Sequence, residues 1–528
     1  MTVRTLMALV LPAVLALSGC AATIPGTPSA AGPGSSSSPA ESTAPDGDVT
    51  ALPPAADTEF LDCTDQVVDL LGDEPGTERD LSFECGSLVV PLDYRDPGAD
   101  RIDLFVVRVR LGSQQDRIGS LLSNPGGPGG SGANAAIGLA LSLPTEVLER
   151  FDLVGFDPRG VGLSAPVECI PDDFKDEVLP AEPYVLDDAD FEEQVELAEE
   201  VAGLCYDRYG DDLGLYNTVN TARDMDQLRE SLGDEQLSYL GYSYGTTLGS
   251  TYAELFPDNV RALVLDAAVN PTLDEAESFE AQIQGFESAF DAFAADCVDR
   301  ECPAGPDPRA TVLELLDTAR ARPIPNSDPD DERDGEPGFV LTAVISALYD
   351  QEQWPELGAA IGDAVDGDAQ GVIALADQYN SRTEDGSYTN LLDANLAINC
   401  ADTPESEAFT EAEVEGYVQE WGQEYTLFGA PLASGMLTCS AWEAPRFPLP
   451  ERDAEGAPPI MVIGTRNDPA TPYAGAVAMA DQLDSGFLVT WEGEGHTAYP
   501  KTECITEVVN AYLIELAVPT GETTCPAA

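Results

Sequence analysis

The chain has 528 residues, 43% of them hydrophobic, and a formal charge of −72 from 96 acidic and 24 basic side chains. That length supports a large core, built either as one domain with an insertion or as two domains. The charge argues against nucleic acid as a partner, because phosphate is repelled over most of the surface, and the only lysines are Lys175 and Lys501.

The opening MTVRTLMALVLPAVLALSGC has one early positive charge at Arg4, an apolar run from Leu6 to Leu17 and then small residues. This is the pattern of a secretory signal, too short to span a membrane. Leu17-Ser18-Gly19-Cys20 resembles the lipobox of bacterial lipoproteins. The resemblance implies that residues 1–19 are removed and that Cys20 is lipidated, which holds the protein to a membrane outside the cytoplasm; ordinary cleavage nearby would secrete it instead. Several acyl chains anchor firmly where one is marginal. Residues 20–58 are dominated by Ala, Pro, Ser, Gly and Thr. Such a composition cannot bury a core and is expected to form a disordered tether.

Ten cysteines follow Cys20, at 63, 85, 169, 205, 297, 302, 400, 439, 504 and 525. An even number in an exported chain implies five disulfides. Pairing between nearest neighbours is expected, since it keeps each bridge within one module.

Residues 59–270 read as the first part of an α/β core. Ser87–Leu92, Arg101–Val109 and Phe151–Phe156 are β-rich runs. Between the last two, a strand from Ser120 runs into the glycine-rich segment NPGGPG, Asn124 to Gly129, and a helix of small residues follows. There is no G-K-[ST] sequence, so this loop is not a phosphate-binding P-loop. Asp157 to Ser164 reads DPRGVGLS, in which Asp157 and Arg159 are expected to be a structural turn pair. The stretch from Asp190 to Gly233 is rich in helix.

At Leu237–Phe256, LSYLGYSYGTTLGSTYAELF, a short apolar strand passes through Gly241-Tyr242-Ser243-Tyr244-Gly245 into an amphipathic helix. G-x-S-x-G between a strand and a helix is the nucleophile elbow of an α/β-hydrolase, where glycines make room for a serine at a sharp turn. In that fold the loop after an earlier strand supplies one main-chain N–H to an oxyanion hole and the residue after the nucleophile supplies the other. This assigns Gly127 and Tyr244.

After a strand at Val260–Val269, strand signals stop. Residues 271–455 read as helices broken by a polar loop at Asn326–Pro337, a cap inserted after the sixth strand. Residues 456–528 resume the core with a strand at Pro459–Gly464, and Asp468 stands just beyond it, where the acid of a triad belongs. A further strand, Phe487–Trp491, leads to His496, the only histidine. Ser243, Asp468 and His496 therefore occur in the chain order of this fold's triad. Glu492 and Glu494 are rival acids, but they precede the histidine so closely that they would have to fold back to meet its ring.

NPGGPG at Asn124–Gly129 resembles the H-G-G-P-G loop of the proline iminopeptidase group of α/β-hydrolases, with Pro125 where that group has histidine. DPRGVGLS is similar to the group's D-x-R-G-x-G-x-S segment. The likeness is to secreted actinobacterial tripeptidyl aminopeptidases and related mycobacterial envelope lipoproteins, and it implies a mostly parallel sheet, a helical cap and a serine aminopeptidase that takes peptides with free amino termini. It implies no metal or organic cofactor. Such an enzyme needs an anion in the cap for the substrate ammonium, for which Asp402 is the candidate. An envelope carboxylesterase or lipase with the same triad is the alternative, and a catalytically idle surface-binding protein a third reading.

Overall fold

The computed structural model describes residues 52–72 and 76–527. The signal segment, Cys20 and most of the tether lie outside the described residues. Residues 52–58, expected to belong to the tether, lie against the body instead. Leu52 and Ala56 pack on the core, Gln227 donates to the Pro53 carbonyl at 3.0 Å, and the Thr58 N–H donates to Ser231 at 3.0 Å. The two apolar side chains give this end of the linker something to bury.

Among the described residues the strands are β1 (Glu59–Asp62), β2 (Leu81–Pro91), β3 (Arg101–Leu111), β4 (Gly119–Asn124), β5 (Phe151–Phe156), β6 (Leu237–Tyr242), β7 (Val260–Asp266), β8 (Ile460–Asn467), β9 (Gly486–Glu494) and β10 (Thr523–Cys525). They form one sheet in the order β1-β2-β3-β5-β4-β6-β7-β8-β9-β10. It is parallel from β5 to β10, while β1, β2 and β3 join antiparallel. Every residue of β4, β5 and β6 is buried, as strands covered by helices on both faces must be, the polar Ser120, Ser123, Asn124, Asp152 and Ser238 included. One face is packed by the helices Gly132–Ser142, Thr145–Arg150 and Glu503–Glu515. The other takes Thr218–Leu232, Tyr244–Leu255 and Tyr473–Gln482. The strand before the cap is thus seventh in the chain; the extra one, β1, is mostly exposed and has no apolar alternation to announce it.

The cap is helical from Glu275 to Ser440, with its own core around Phe286, Phe290, Phe293, Trp354 and Phe428. It is also composite. The helix Asp188–Tyr209, from the helix-rich stretch ahead of the elbow, puts Phe191 and Ala198 into the cap core. Conversely, the helix Leu391–Asp402 lies against the hydrolase body. Asn390 donates to the carbonyls of Gly160 at 2.7 Å and Val167 at 2.9 Å. Asn395 donates to the Pro128 carbonyl of the glycine loop at 3.0 Å. Asp393 accepts from the N–H groups of Cys169 and Ile170 and pairs with buried Lys175 at 2.7 Å.

The disulfides are Cys63–Cys85, Cys169–Cys205, Cys297–Cys302, Cys400–Cys439 and Cys504–Cys525, all between nearest neighbours. Among the described residues no helix is long and apolar enough to cross a membrane.

Candidate active site

Ser243 has φ 56° and ψ −125°, a region that costs a non-glycine residue roughly 1–3 kcal/mol. The fold holds it there. The Ser243 N–H donates to the Asp266 carbonyl at 2.9 Å, and its own carbonyl accepts from the Thr246 N–H at 2.8 Å and the Thr246 hydroxyl at 2.6 Å. The flanking glycines are required by space: a Cβ on Gly241 would lie 2.4 Å from the Gly245 carbonyl oxygen, and one on Gly245 would lie 2.9 Å from that of Asn124.

The glycine loop crosses the elbow closely. A Cβ on Gly126 would stand 2.8 Å from the Ser243 Cβ and 3.2 Å from the Tyr244 nitrogen. The Gly126 N–H is already taken by the Asn124 side chain at 3.0 Å. The N–H groups of Gly127 and Tyr244 are engaged by no other group among the described residues. Tyr244 opens its helix, where the first amides have no intrahelical acceptor.

Asp468 follows β8 and is 2% exposed. Its Oδ1 accepts from the N–H groups of Ala470 at 3.0 Å and Thr471 at 2.9 Å, and its two oxygens face His496 Nδ1 at 2.8 and 2.9 Å. A carboxylate there places the ring proton on Nδ1 and leaves Nε2 as an acceptor. Nε2 is buried and has no hydrogen-bond partner; the Ser243 hydroxyl likewise makes none among the described residues. Neither rival acid reaches the ring, since Glu492 pairs with Arg466 at 2.7 Å and Glu494 accepts from Asn467 at 2.5 Å.

Several residues that position these groups carry no motif. The His496 N–H donates to the Tyr349 carbonyl of the cap at 2.8 Å, and the Tyr349 ring stands edge-on to the imidazole at 5.2 Å. Asp266 ties the two halves together. Besides bonding the elbow through its carbonyl, its carboxylate accepts from the N–H groups of Ala498 at 3.1 Å and Tyr499 at 2.8 Å. Burial pushes that carboxyl up to about 6, against the pull of those two amides. A carboxylate at the end of β7 was a readable signal, whereas a cap carbonyl is not. Asp157 and Arg159 are structural but do not pair with each other: Asp157 accepts from Ser131, Ala133 and Leu163, and Arg159 makes a fully buried ion pair with Asp224 at 2.7 Å.

A cavity of about 1520 Å³ opens onto Gly127, Ser243 and Tyr244, and its walls carry Asp402, Arg452 and, from the helix Asp188–Tyr209, Glu193, Glu196 and Glu200. Asp402 is 9% exposed rather than solvated, and burial raises its carboxyl to about 7 despite hydrogen bonds from Thr218 and the charge of Arg452.

A strained serine between parallel strand and helix, with an aspartate–histidine pair beyond later strands of the same sheet, defines an α/β-hydrolase. The sequence matches the family model for the alpha/beta hydrolase fold over residues 119–331 and that for TAP-like proteins over residues 424–525. The serine protease Hip1 of Mycobacterium tuberculosis is 39% identical over 461 residues, 84% of this chain and 87% of that protein. Carboxylesterase B of the same species is 34% identical, covering 85% and 87%, and the tripeptidyl aminopeptidase of Streptomyces coelicolor 32% identical, covering 84% and 83%. The chain belongs to this tripeptidyl aminopeptidase-like family of α/β-hydrolases, and it is a serine hydrolase of the peptidase type.

Proposed function

We propose that the protein is an extracytoplasmic aminopeptidase that releases short peptides, tripeptides foremost, from free amino termini. The bond between Asp468 and His496 Nδ1, which leaves Nε2 free to act as a base within the same fold that strains Ser243, carries the chemistry of this reading. The likeness to a serine protease and a tripeptidyl aminopeptidase, with the carboxylates of the cavity wall, supports its substrate. In the proposed reaction Nε2 takes the Ser243 proton as Oγ attacks the scissile carbonyl. Asp468 stabilises the imidazolium, and the N–H groups of Gly127 and Tyr244 hold the oxyanion. The imidazolium then protonates the leaving amine. Water, deprotonated by the same nitrogen, resolves the acyl-enzyme. Asp402 and the glutamates of the cavity wall supply counter-charge for the substrate ammonium.

Turnover of tripeptide amides with free and acetylated amino termini, beside acyl esters, tests the reading. Loss of turnover on acetylation supports it. Preference for acyl esters would establish the carboxylesterase, a reading that the 34% identity to carboxylesterase B keeps in play. A Ser243→Ala protein that still turns over peptide would overturn both. The lipobox and the five disulfides support a place outside the cytoplasm; if Cys20 is the anchor, Cys20→Ala moves the protein from the membrane fraction to the soluble one.

A further inference from the structure

Beside the elbow lies a chain of buried polar side chains that proton transfer between Ser243 and His496 does not use. Asp402 ends the helix Leu391–Asp402, Thr218 begins Thr218–Leu232, and Tyr244 begins Tyr244–Leu255. Thr218 is fully buried and Tyr244 is 8% exposed. The Thr218 N–H donates to Asp402 Oδ1 at 3.0 Å, and its hydroxyl donates to Oδ2 at 2.5 Å. That hydroxyl also bonds the Tyr244 hydroxyl. Because threonine has a single hydroxyl hydrogen, already given to Asp402, Tyr244 is the donor in this last bond. The order of donation is therefore Tyr244 to Thr218 to Asp402.

We propose that Asp402 is a positioning residue which, through Thr218, fixes the Tyr244 side chain and with it the main-chain N–H that meets the substrate oxyanion. The inference rests on the reading of that N–H as an oxyanion donor. With its hydroxyl held by Thr218 and its peptide unit held through the Ser243 carbonyl by Thr246, Tyr244 is kept from turning about the elbow. The donor is thus set before the substrate arrives, which is the preorganisation such a site needs. The polarity of the chain depends on an ionised Asp402. A protonated carboxyl would donate to Thr218, turn the threonine hydrogen toward Tyr244, and leave the phenol hydrogen without its acceptor in a buried wall. Thr218, Tyr244 and Arg452 are the groups that face this carboxyl. Burial brings its titration to about 7, so a cationic amino terminus in the same cavity favours the form that aligns the donor. On this account a blocked amine costs turnover as well as binding.

The test is a set of variants assayed on a free tripeptide amide, with binding of a peptide aldehyde and of the product tripeptide measured alongside. An aldehyde forms a hemiacetal with Ser243 and uses the oxyanion donors; the product does not. Thr218→Val keeps the Asp402 carboxylate but removes the relay, and Tyr244→Phe removes its far end. Each is expected to lower kcat by roughly ten- to a hundredfold, the scale of a displaced catalytic contact, with KM changed less than about threefold. Aldehyde affinity should fall with kcat while product affinity holds, and the double variant should be no worse than either single one. Thr218→Ser, which restores the hydroxyl, should recover most of the activity. The acid limb of kcat should follow two ionisations in the parent and one in Tyr244→Phe. A loss confined to KM, equal losses of aldehyde and product affinity, or full activity in a folded Tyr244→Phe would overturn the inference. Ser243→Ala separates the two levels: if it is dead while Thr218→Val is fully active, the relay fails and the peptidase reading stands.

Discussion

Asp468→Asn is the most informative single change at the site, because the structure dictates which way the new amide must turn. Oδ1 of Asp468 accepts two main-chain N–H groups, from Ala470 and Thr471. An asparagine must keep its carbonyl oxygen there, since turning the NH2 toward two donors would bury unpaired hydrogens. Its Nδ2 then takes the place of Oδ2, 2.9 Å from His496 Nδ1. Nδ1 then faces the retained carbonyl oxygen at 2.8 Å as well as this new donor at 2.9 Å. Where the amide donates, Nδ1 accepts and the ring proton moves to Nε2, the nitrogen that should take the proton of Ser243. In either tautomer the carboxylate charge that stabilises the imidazolium is gone. The variant keeps its packing and loses its base. In the serine-protease triad this tautomer error costs about four orders of magnitude in kcat, roughly 5.5 kcal/mol of transition-state stabilisation. The assay is kcat/KM on a peptide amide from pH 6 to 9, with thermal melting to show that the fold survives. Glu492→Gln and Glu494→Gln serve as controls and should stay within about threefold of the parent, the small effect expected away from the reacting groups. A folded Asp468→Asn within tenfold of the parent would refute the assignment, and a large loss in Glu494→Gln would move the acid onto the strand that precedes the histidine.

Gly245→Ala puts a Cβ 2.9 Å from the Asn124 carbonyl oxygen and 3.0 Å from its side-chain oxygen; the elbow must shift, and we expect a loss of about 1–3 kcal/mol of stability in chemical denaturation, together with most of the turnover. Asp266 and Asp402 titrate near 6 and 7 in the fold, both raised by burial. A raised folded value means that the folded chain holds more protons, so each group's contribution to stability is present below about pH 4 and is lost as pH rises through its folded value. Urea midpoints at pH 5 and pH 7.5 should differ less in Asp402→Asn than in the parent, and the general relief of acidic repulsion on acidification, common to both, cancels from that comparison. Cys400–Cys439 closes 39 residues, for which the loop-entropy relation gives about 4 kcal/mol. The paired Cys400→Ala and Cys439→Ala change should lower the urea midpoint accordingly, and equal midpoints would show that the cap needs no staple there.

The central strands and the order Ser243, Asp468, His496 were legible because each carries a local chemical demand. A buried parallel strand is rich in apolar and β-forming residues, and an elbow must be flanked by glycine. The edges were not. β1 and β10 are short; β1 gains its place by pairing with β2, and β10 by pairing with β9 next to the bridge at Cys525, neither of which leaves a periodic pattern. The helix Asp188–Tyr209 was visible as a helix but not as part of the cap, since its apolar face does not name the surface it meets. Asp402 was sought for its charge alone. Its bonds to Thr218 span 184 positions in the chain, and contacts at that range leave no mark in a single sequence.

The helix Leu391–Asp402 has a consequence for anyone who would exchange specificity between relatives by grafting. The insertion looks modular in sequence, but Asn390, Asp393 and Asn395 grip the loops at Gly160, Cys169 and Pro128. A transplant cut at residues 271 and 455 would therefore carry off part of the enzyme's chassis with its lid. Chimeras that retain the recipient's residues 390–402 and replace only the helices on either side are the ones in which a new substrate preference can be read without rebuilding the machine beneath it.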